Sequence, residues 1–241
     1  VMASVAILVG LRIAGKPRDA NHPYGHSRAE AVATLVSSFI MATVGVQVLR
    51  TSIVSLVSPD AARVPDIWAL WTGLVTAGVM LGVHLYNRGL AKRTNSMAIA
   101  ALSKDNLADA LVSVGVVIGI VGARLGQPWF DPLVALLFGG IICKTALEIF
   151  FQASHVVTDG FDPAKLKKYR DTVLGVAGVA AVTAMKARFQ GNDVIVEVTV
   201  GVHPELNVVD SHEIANEIEY RMKRKHDVKT TLVHVEPYAG G

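Results

Sequence analysis

The chain has 241 residues, of which 51% are hydrophobic and 18% are charged, and its formal net charge is +3. This weak charge, without any basic run interleaved with aromatic residues, argues against a nucleic-acid-binding protein. The single cysteine, Cys143, permits no intrachain disulfide and is expected to be a small packing residue.

Long apolar segments occupy the first two thirds of the chain. They run over about 1–14, 31–57, 67–90, 97–123 and 132–157. A helix needs about 20 residues to cross a bilayer, so all but the first are long enough to span. The first segment is expected to be the remainder of a longer helix. From about residue 159 the chain becomes charged and alternating, which predicts a membrane domain over 1–158 and a water-soluble domain over 159–241.

Basic residues in the connecting loops predict the orientation. They cluster between the first two apolar segments and between the third and fourth, at Arg12, Lys16, Arg18, Arg28, Arg88, Lys92 and Arg93. The other two loops contain only Arg63 and Arg124. Loops rich in Lys and Arg stay on the cytoplasmic side, so these loops and the C-terminal domain are expected in the cytoplasm.

The loop between the first two apolar segments has the spacing of a metal site. Asp19, His22 and His26 follow the pattern Asp-x2-His-x3-His, and Pro23 and Gly25 bend the chain between the histidines. Carboxylate and imidazole ligands suit zinc, iron or manganese, and three ligands leave room for water or a fourth group. The alternative is a solvated loop with two chance histidines.

The same loop ends in a helix-start pattern. Ser27 is followed three residues later by Glu30, and an apolar run comes next. This spacing predicts a capping box, in which each of the two side chains accepts a hydrogen bond from the other residue's backbone N–H.

The fourth apolar segment contains two acids, Asp105 and Asp109, four residues apart. That spacing places both carboxylates on one helix face, about one turn apart. Ionised carboxylates within a membrane are costly and normally face a cavity or a partner. With Asn106 and Ser113 close in sequence, they resemble half of a divalent-cation site. Lys104 points about 100° away around the helix and is not assigned to the site. The alternative is a helix of a soluble protein with a solvated acidic stripe.

The last third predicts an αββαβ domain. An amphipathic helix is expected over about 163–174, strands near 181–189 and 194–202, a second helix over about 208–225 and a last strand over 230–235. The period-two alternation is clearest in the second strand.

Several motifs together resemble the cation diffusion facilitators, a family of proton-coupled divalent-metal exporters. They are His-Pro-Tyr-Gly-His-Ser-Arg-Ala-Glu at 22–30, the Asp105/Asp109 pair, Asp-Pro at 131–132, Thr-Asp-Gly at 158–160, Val-Asp-Ser-His at 209–212 and Val-His-Val-Glu-Pro at 233–237. The resemblance covers the whole chain. It implies a six-helix membrane bundle, whose first helix and start of the second are expected to be missing here. It also implies a ferredoxin-like cytoplasmic domain that forms a homodimer, and a bacterial plasma membrane as the location.

The resemblance implies a four-ligand transport site. Asp105 and Asp109 match the ligands of the family's fifth helix, and the two from its second helix are expected before Val1. Zinc-type members usually have His where this chain has Asp105, so the pair resembles the manganese-type branch. Exchanging imidazole for carboxylate favours Mn²⁺ over Zn²⁺, while Fe²⁺ and Zn²⁺ stay open.

The resemblance also assigns residues to the cytoplasmic domain and its connection. The domain's metal ligands match His212, His234 and Glu236, although Thr199 stands where some members have a further His. A basic residue of the first loop and an acid at the start of the domain pair in the family, and they match Arg28 and Asp162.

The functional expectation is therefore efflux of divalent transition metals, Mn²⁺ foremost, against protons, with metal ions as substrates and as regulatory ligands. The first alternative is a membrane-anchored metal sensor that does not transport. The second is an organic-cation transporter, which would want an aromatic-lined cavity although only 6% of residues are aromatic. The sequence has neither a nucleophile–base arrangement nor a phosphate-binding glycine loop, so an enzyme is not expected.

Overall fold

The computed structural model describes residues 2–57, 67–125, 127 and 129–238. Arg63, one of the residues counted in the loop-charge prediction, lies outside the described residues. The chain divides into two compact units, Val1–Ser154 and His155–Gly241. The boundary expected from the sequence, after residue 158, lies close to this division.

The first unit consists of helices. They are α1 (Met2–Ala14), α2 (Ala29–Val57), α3 (Ile67–Thr94), α4 (Met97–Arg124) and α5 (Phe130–Val157). Helices α2 to α5 are long and apolar enough to cross a membrane, whereas α1 is a shorter apolar helix of 13 residues. The apolar segments of the sequence therefore predicted these helices to within a few residues at each end.

Small residues on α4 allow the first unit to pack closely. Ala98, Ala101 and Ala108 are buried on α4. They contact a cluster contributed by α1, α2 and α5, which contains Ile7, Met41, Ile142, Ala146 and Ile149. In lipid the hydrophobic effect does not drive helices together, so their association depends on close van der Waals packing. Alanine side chains are small enough to let the helix backbones approach closely. Helix α4, which carries the acidic pair, is thus held on several sides.

A polar contact joins α3 to α4. The buried His84 places Nδ1 2.8 Å from the Ser103 carbonyl oxygen, and the Ser103 hydroxyl donates to the His84 carbonyl oxygen at 3.2 Å. Because a carbonyl only accepts, Nδ1 carries the imidazole proton. Between the two helices, Asn95 has a left-handed backbone with φ of 52°, which reverses the chain.

The second unit is an αββαβ domain, as predicted. Its elements are α6 (Pro163–Leu174), β1 (Ala181–Gln190), β2 (Asp193–Val202), α7 (Val208–His226) and β3 (Thr230–Pro237). The strand order is β1-β2-β3: β1 and β2 form an antiparallel hairpin, and β3 pairs parallel to β2 after the α7 crossover. Gly191, with φ of 64°, makes the hairpin turn.

The core of this domain lies between one sheet face and the two helices. The even-numbered valines of β2, from Val196 to Val202, are buried and pack with Ile218 and Met222 of α7. Successive strand residues point to opposite faces, so Glu197 and Thr199 lie on the other face. Each helix starts with a side-chain cap: Asp162 accepts from the Ala164 N–H and Asn207 from the Asp210 N–H.

Candidate metal centres

The loop between α1 and α2 brings together the three side chains that the sequence singled out. The ligand atoms of Asp19, His22 and His26 all lie within 4.8 Å of one another. Asp19 Oδ1 is 3.2 Å from His22 Nδ1, and Asp19 Oδ2 is 3.3 Å from His26 Nε2. In the part of the chain that the structure describes, this is the one group of three or more such side chains that converges in this way.

Asp19 organises the loop backbone around itself. Its Oδ1 accepts hydrogen bonds from the N–H groups of Asn21 at 3.0 Å and His22 at 2.7 Å, which forms a local turn. Gly25 then takes a φ of 86°, a conformation that suits glycine. The backbone hydrogen bond from His22 is the main cause that lowers the pKa of the Asp19 carboxyl below its ordinary value. The carboxylate is therefore ionised and ready to bind a cation.

His26 is the anchored member of the triad. Its side chain is 12% exposed, compared with 56% for His22 and 51% for Asp19. Its Nδ1 is 3.2 Å from the Pro17 carbonyl oxygen and must donate, which leaves Nε2 directed at Asp19. A backbone carbonyl on the outer nitrogen is the usual support of a metal-binding histidine. A cation between Nε2 and the carboxylate would satisfy both groups.

The acidic pair lies on α4 as the spacing predicted. Asp105 is half-buried and Asp109 is exposed. The two α4 carboxylates can supply oxygen ligands to a divalent ion but do not complete a coordination shell by themselves. The Ser113 hydroxyl donates to the Asp109 carbonyl oxygen at 2.8 Å. Asn106 is buried, and its Nδ2 has no hydrogen-bond partner among the described residues.

Lys104 contacts α5. Its Nζ lies 3.8 Å from Glu148 Oε2 and donates to Gln152 Oε1 at 3.3 Å. The helix period predicts that Lys104 points away from the acidic pair, and its ammonium group is accordingly paired with side chains of α5.

The second unit brings together only part of its predicted ligand set. His234 Nε2 is 3.4 Å from Glu236 Oε1 on the exposed face of β3. His212 is exposed on α7, and the three ligand atoms do not meet the 4.8 Å convergence of the loop triad. Thr199 is paired with His234 in the sheet register. A cleft of about 320 Å³ lies beside them, lined by Lys186, Glu197, Thr199, Leu232 and His234 among others.

The residues of the expected coupling pair lie in different units. Arg28 lies in the loop just before α2. Asp162 uses its carboxylate to cap α6 through a 2.8 Å hydrogen bond from Ala164 N. The pairing of the two stays a prediction.

The capping box predicted for Ser27 and Glu30 is wrong. The Ser27 hydroxyl is buried without a partner in the described residues, and α2 begins at Ala29. Glu30 instead accepts hydrogen bonds from Ser96 and Ala98 at the start of α4. Sequence reasoning missed this contact because the local helix-start pattern offered Glu30 a nearer partner.

Comparison with known proteins covers nearly the whole chain. Residues 1–156 match the family model of the cation efflux transmembrane domain, and residues 161–238 match that of the cation efflux protein cytoplasmic domain. The chain is 47% identical over 237 residues to the manganese efflux system protein MneS of Bacillus subtilis, covering 98% of this chain and 81% of that protein. It is 31% identical over 221 residues to the magnetosome protein MamM of Magnetospirillum gryphiswaldense, covering 91% of this chain and 70% of that protein.

Among solved structures, a cadmium form of the MamM CTD is 27% identical. It covers 32% of this chain and 96% of that chain, with a TM-score of 0.31.

Proposed function

Because the chain belongs to the cation efflux family, we propose that it exports divalent transition-metal ions, Mn²⁺ foremost, from the cytoplasm in exchange for protons. The observation that carries the proposal is the Asp105/Asp109 pair on α4, a helix long and apolar enough to cross a membrane. A helix that served only as an anchor would not need two acids on one face.

Exchange of metal for protons follows from the chemistry of carboxylates. A divalent ion binds the ionised form, so metal binding displaces protons from Asp105 and Asp109 and protonation releases the metal. Metal therefore travels outward on the ionised pair, and the return step carries a larger proton load.

The choice of Mn²⁺ rests on ligand hardness. Two carboxylates with no imidazole on this helix suit a hard cation better than Zn²⁺, which prefers nitrogen and sulfur. The relatives MneS and MneP of Bacillus subtilis are both described as manganese efflux system proteins, which supports the same choice of metal. MneP is 28% identical to this chain over 247 residues. Fe²⁺ and Zn²⁺ are the competing substrates.

The loop triad has a different ligand set and a different proposed task. Asp19, His22 and His26 form a cytoplasmic site that binds a regulatory metal ion. The cytoplasmic domain, expected over 159–241, forms a homodimer, and His212, His234 and Glu236 contribute a further metal site there. Arg28 and Asp162 couple that domain to the helices of the 1–158 domain. The protein lies in the bacterial plasma membrane with this domain and the basic loops in the cytoplasm.

The test is transport by the full-length protein in proteoliposomes that contain a pH indicator. Mn²⁺ and Zn²⁺ are added separately to the wild type and to Asp109→Ala, with Asp171→Ala, a substitution of an exposed acid in α6, as the matched control. We expect Mn²⁺-driven proton movement that disappears only in Asp109→Ala. A preference for Zn²⁺ would overturn the choice of metal. Tight metal binding without flux would overturn export in favour of a membrane-anchored sensor. The loop triad, whose three ligand atoms converge without any other segment, is the observation that favours this second function.

A further inference from the structure

A buried carboxylate joins the start of α2 to the start of α4. Glu30, in the first turn of α2, is 7% exposed. Among the described residues it is the only acidic or basic side chain, histidine apart, that is buried. Buried carboxylates are rare unless their oxygens accept hydrogen bonds, so the partners of Glu30 define its role.

Those partners are the groups that open α4. Glu30 Oε1 accepts a hydrogen bond from the Ser96 hydroxyl at 2.6 Å and another from the Ala98 N–H at 3.0 Å. The Ser96 hydroxyl oxygen in turn accepts from the Ile99 N–H at 3.2 Å. Two of the N–H groups that a helix start leaves without an internal partner are thus satisfied. Ser96 caps α4 locally, and Glu30 completes the cap from another helix 66 residues earlier.

The charge of Glu30 suits this position. A helix N-terminus carries a partial positive charge, and a carboxylate there is favourable, more so when water is excluded. Ala98 and Ala101, in the first turns of α4, are buried in the cluster with Ile7 and Met41. A cap that holds these turns in place therefore also holds the position of α4 against α1 and α2.

The acidic pair is carried by the same helix. Asp105 follows Ala98 by seven residues, which is about 10 Å along the helix axis. We infer that Glu30 is a positioning residue for the proposed transport site: by capping α4 it holds the helix, and hence Asp105 and Asp109, at the depth and rotation that metal binding needs. This inference deepens the proposed function and rests on it for its effect on transport.

The first experiment measures the cap itself and does not depend on transport. Hydrogen exchange is compared between the full-length wild type, Glu30→Gln and the double variant Glu30→Gln/Ser96→Asp. Gln keeps the volume but loses the charge, and Asp at position 96 returns a carboxylate to the same N–H groups. We expect exchange in residues 97–103 to become about tenfold faster in Glu30→Gln and to recover in the double variant. Unchanged exchange in Glu30→Gln would overturn the inference.

The second experiment measures the consequence, as KM and kcat for Mn²⁺ in proteoliposomes. We expect KM to rise about tenfold in Glu30→Gln, with a smaller change in kcat, and to return toward the wild-type value in the double variant. The matched control is Thr34→Val on the same helix. Thr34 is fully buried, and its hydroxyl donates to the Glu30 carbonyl oxygen within α2 and to no other group among the described residues. A rise in KM that the double variant does not reverse would overturn the positioning role. Absence of Mn²⁺ flux in the wild type would overturn the transport proposal, while the exchange data still decide on the cap.

If Glu30→Gln fails to reach the membrane in folded form, Ser96→Ala replaces it. This variant removes the 2.6 Å donor to Glu30 and the acceptor of the Ile99 N–H. The same acceleration of exchange in 97–103 is then expected, and its absence overturns the inference.

Discussion

His26 should contribute more to metal binding at the loop triad than its neighbour His22. Its side chain is 12% exposed against 56% for His22, and its Nδ1 is held by the Pro17 carbonyl at 3.2 Å. Its ring also lies against that of His22, with 4.2 Å between the centroids. His26→Ala therefore removes a ligand, the loop's anchor and the ring contact that orients His22. His22→Ala removes one exposed ligand and leaves the anchor in place.

The expected magnitudes follow from this difference. Loss of a group that only supports a metal ligand weakens binding about 10- to 100-fold. His26→Ala loses a ligand together with such support, so we expect the Kd of the loop site to rise about 100-fold or more, equivalent to about 2.7 kcal/mol. His22→Ala should raise it roughly tenfold. Zn²⁺ and Co²⁺ should bind this site more tightly than Mn²⁺, because imidazole ligands follow the general affinity order of divalent metals.

The assay is a Co²⁺ titration followed by visible absorption, on the full-length protein in detergent. Asp105→Asn and Asp109→Asn are present throughout, so that the α4 pair does not contribute. His203→Ala is the matched control, because it removes an exposed histidine from the second unit. Equal losses in His22→Ala and His26→Ala would refute the anchoring argument. Unchanged binding in both would refute the site.

Three further tests, with five substitutions in all, address the αββαβ domain and the packing of the helices. Ile218→Ala, at a fully buried position, should lower the free energy of unfolding by about 2–5 kcal/mol in a urea titration. Its control, Val208→Ala, changes a side chain that is 82% exposed and should alter that free energy by less than about 0.5 kcal/mol. Burial lowers the pKa of His226, so the unfolded chain takes up this proton at higher pH than the folded domain does. Stability should therefore fall as the pH drops from about 7 to 5, and His226→Gln should flatten that fall; an unchanged slope would contradict it. Gly115→Ala would press a methyl group into an aromatic ring of α5 and should cost about 1–3 kcal/mol of bundle stability, measured by denaturant titration in detergent. Gly78→Ala meets nothing within 4 Å and should not destabilise the bundle in the same titration, because alanine favours the helix by up to about 1 kcal/mol over glycine.

The elements of the fold follow closely from local sequence patterns. Apolar runs of sufficient length predicted α2 to α5, and period-two alternation predicted β2 almost to its ends. The positions of Asp105 and Asp109 on one face follow from the helix period alone. The loop triad could also be proposed, because Asp19, His22 and His26 lie within eight residues and a turn is enough to bring them together.

Contacts between segments that are distant in the sequence could not be predicted from these local patterns. The pattern around Ser27 predicted that Glu30 would cap its own helix, but packing of α2 on α4 offers Glu30 two donors 66 and 68 residues away. The motifs of the αββαβ domain group His212 with His234 and Glu236, whereas among these three the structure brings only His234 Nε2 and Glu236 Oε1 within 3.4 Å of each other.

The sequence by itself determined the membrane-spanning helices, the αββαβ domain and two of the three sets of candidate metal ligands, the loop triad and the Asp105/Asp109 pair. Each depends on periodicity or spacing over a few residues, where backbone geometry dictates which side chains share a face. Only the tertiary structure decided that Glu30 caps α4, that Lys104 contacts Glu148 on α5 and that His84 bonds to Ser103. Those partners are set by how helices pack, and a buried polar group bonds to whichever partner that packing places within reach.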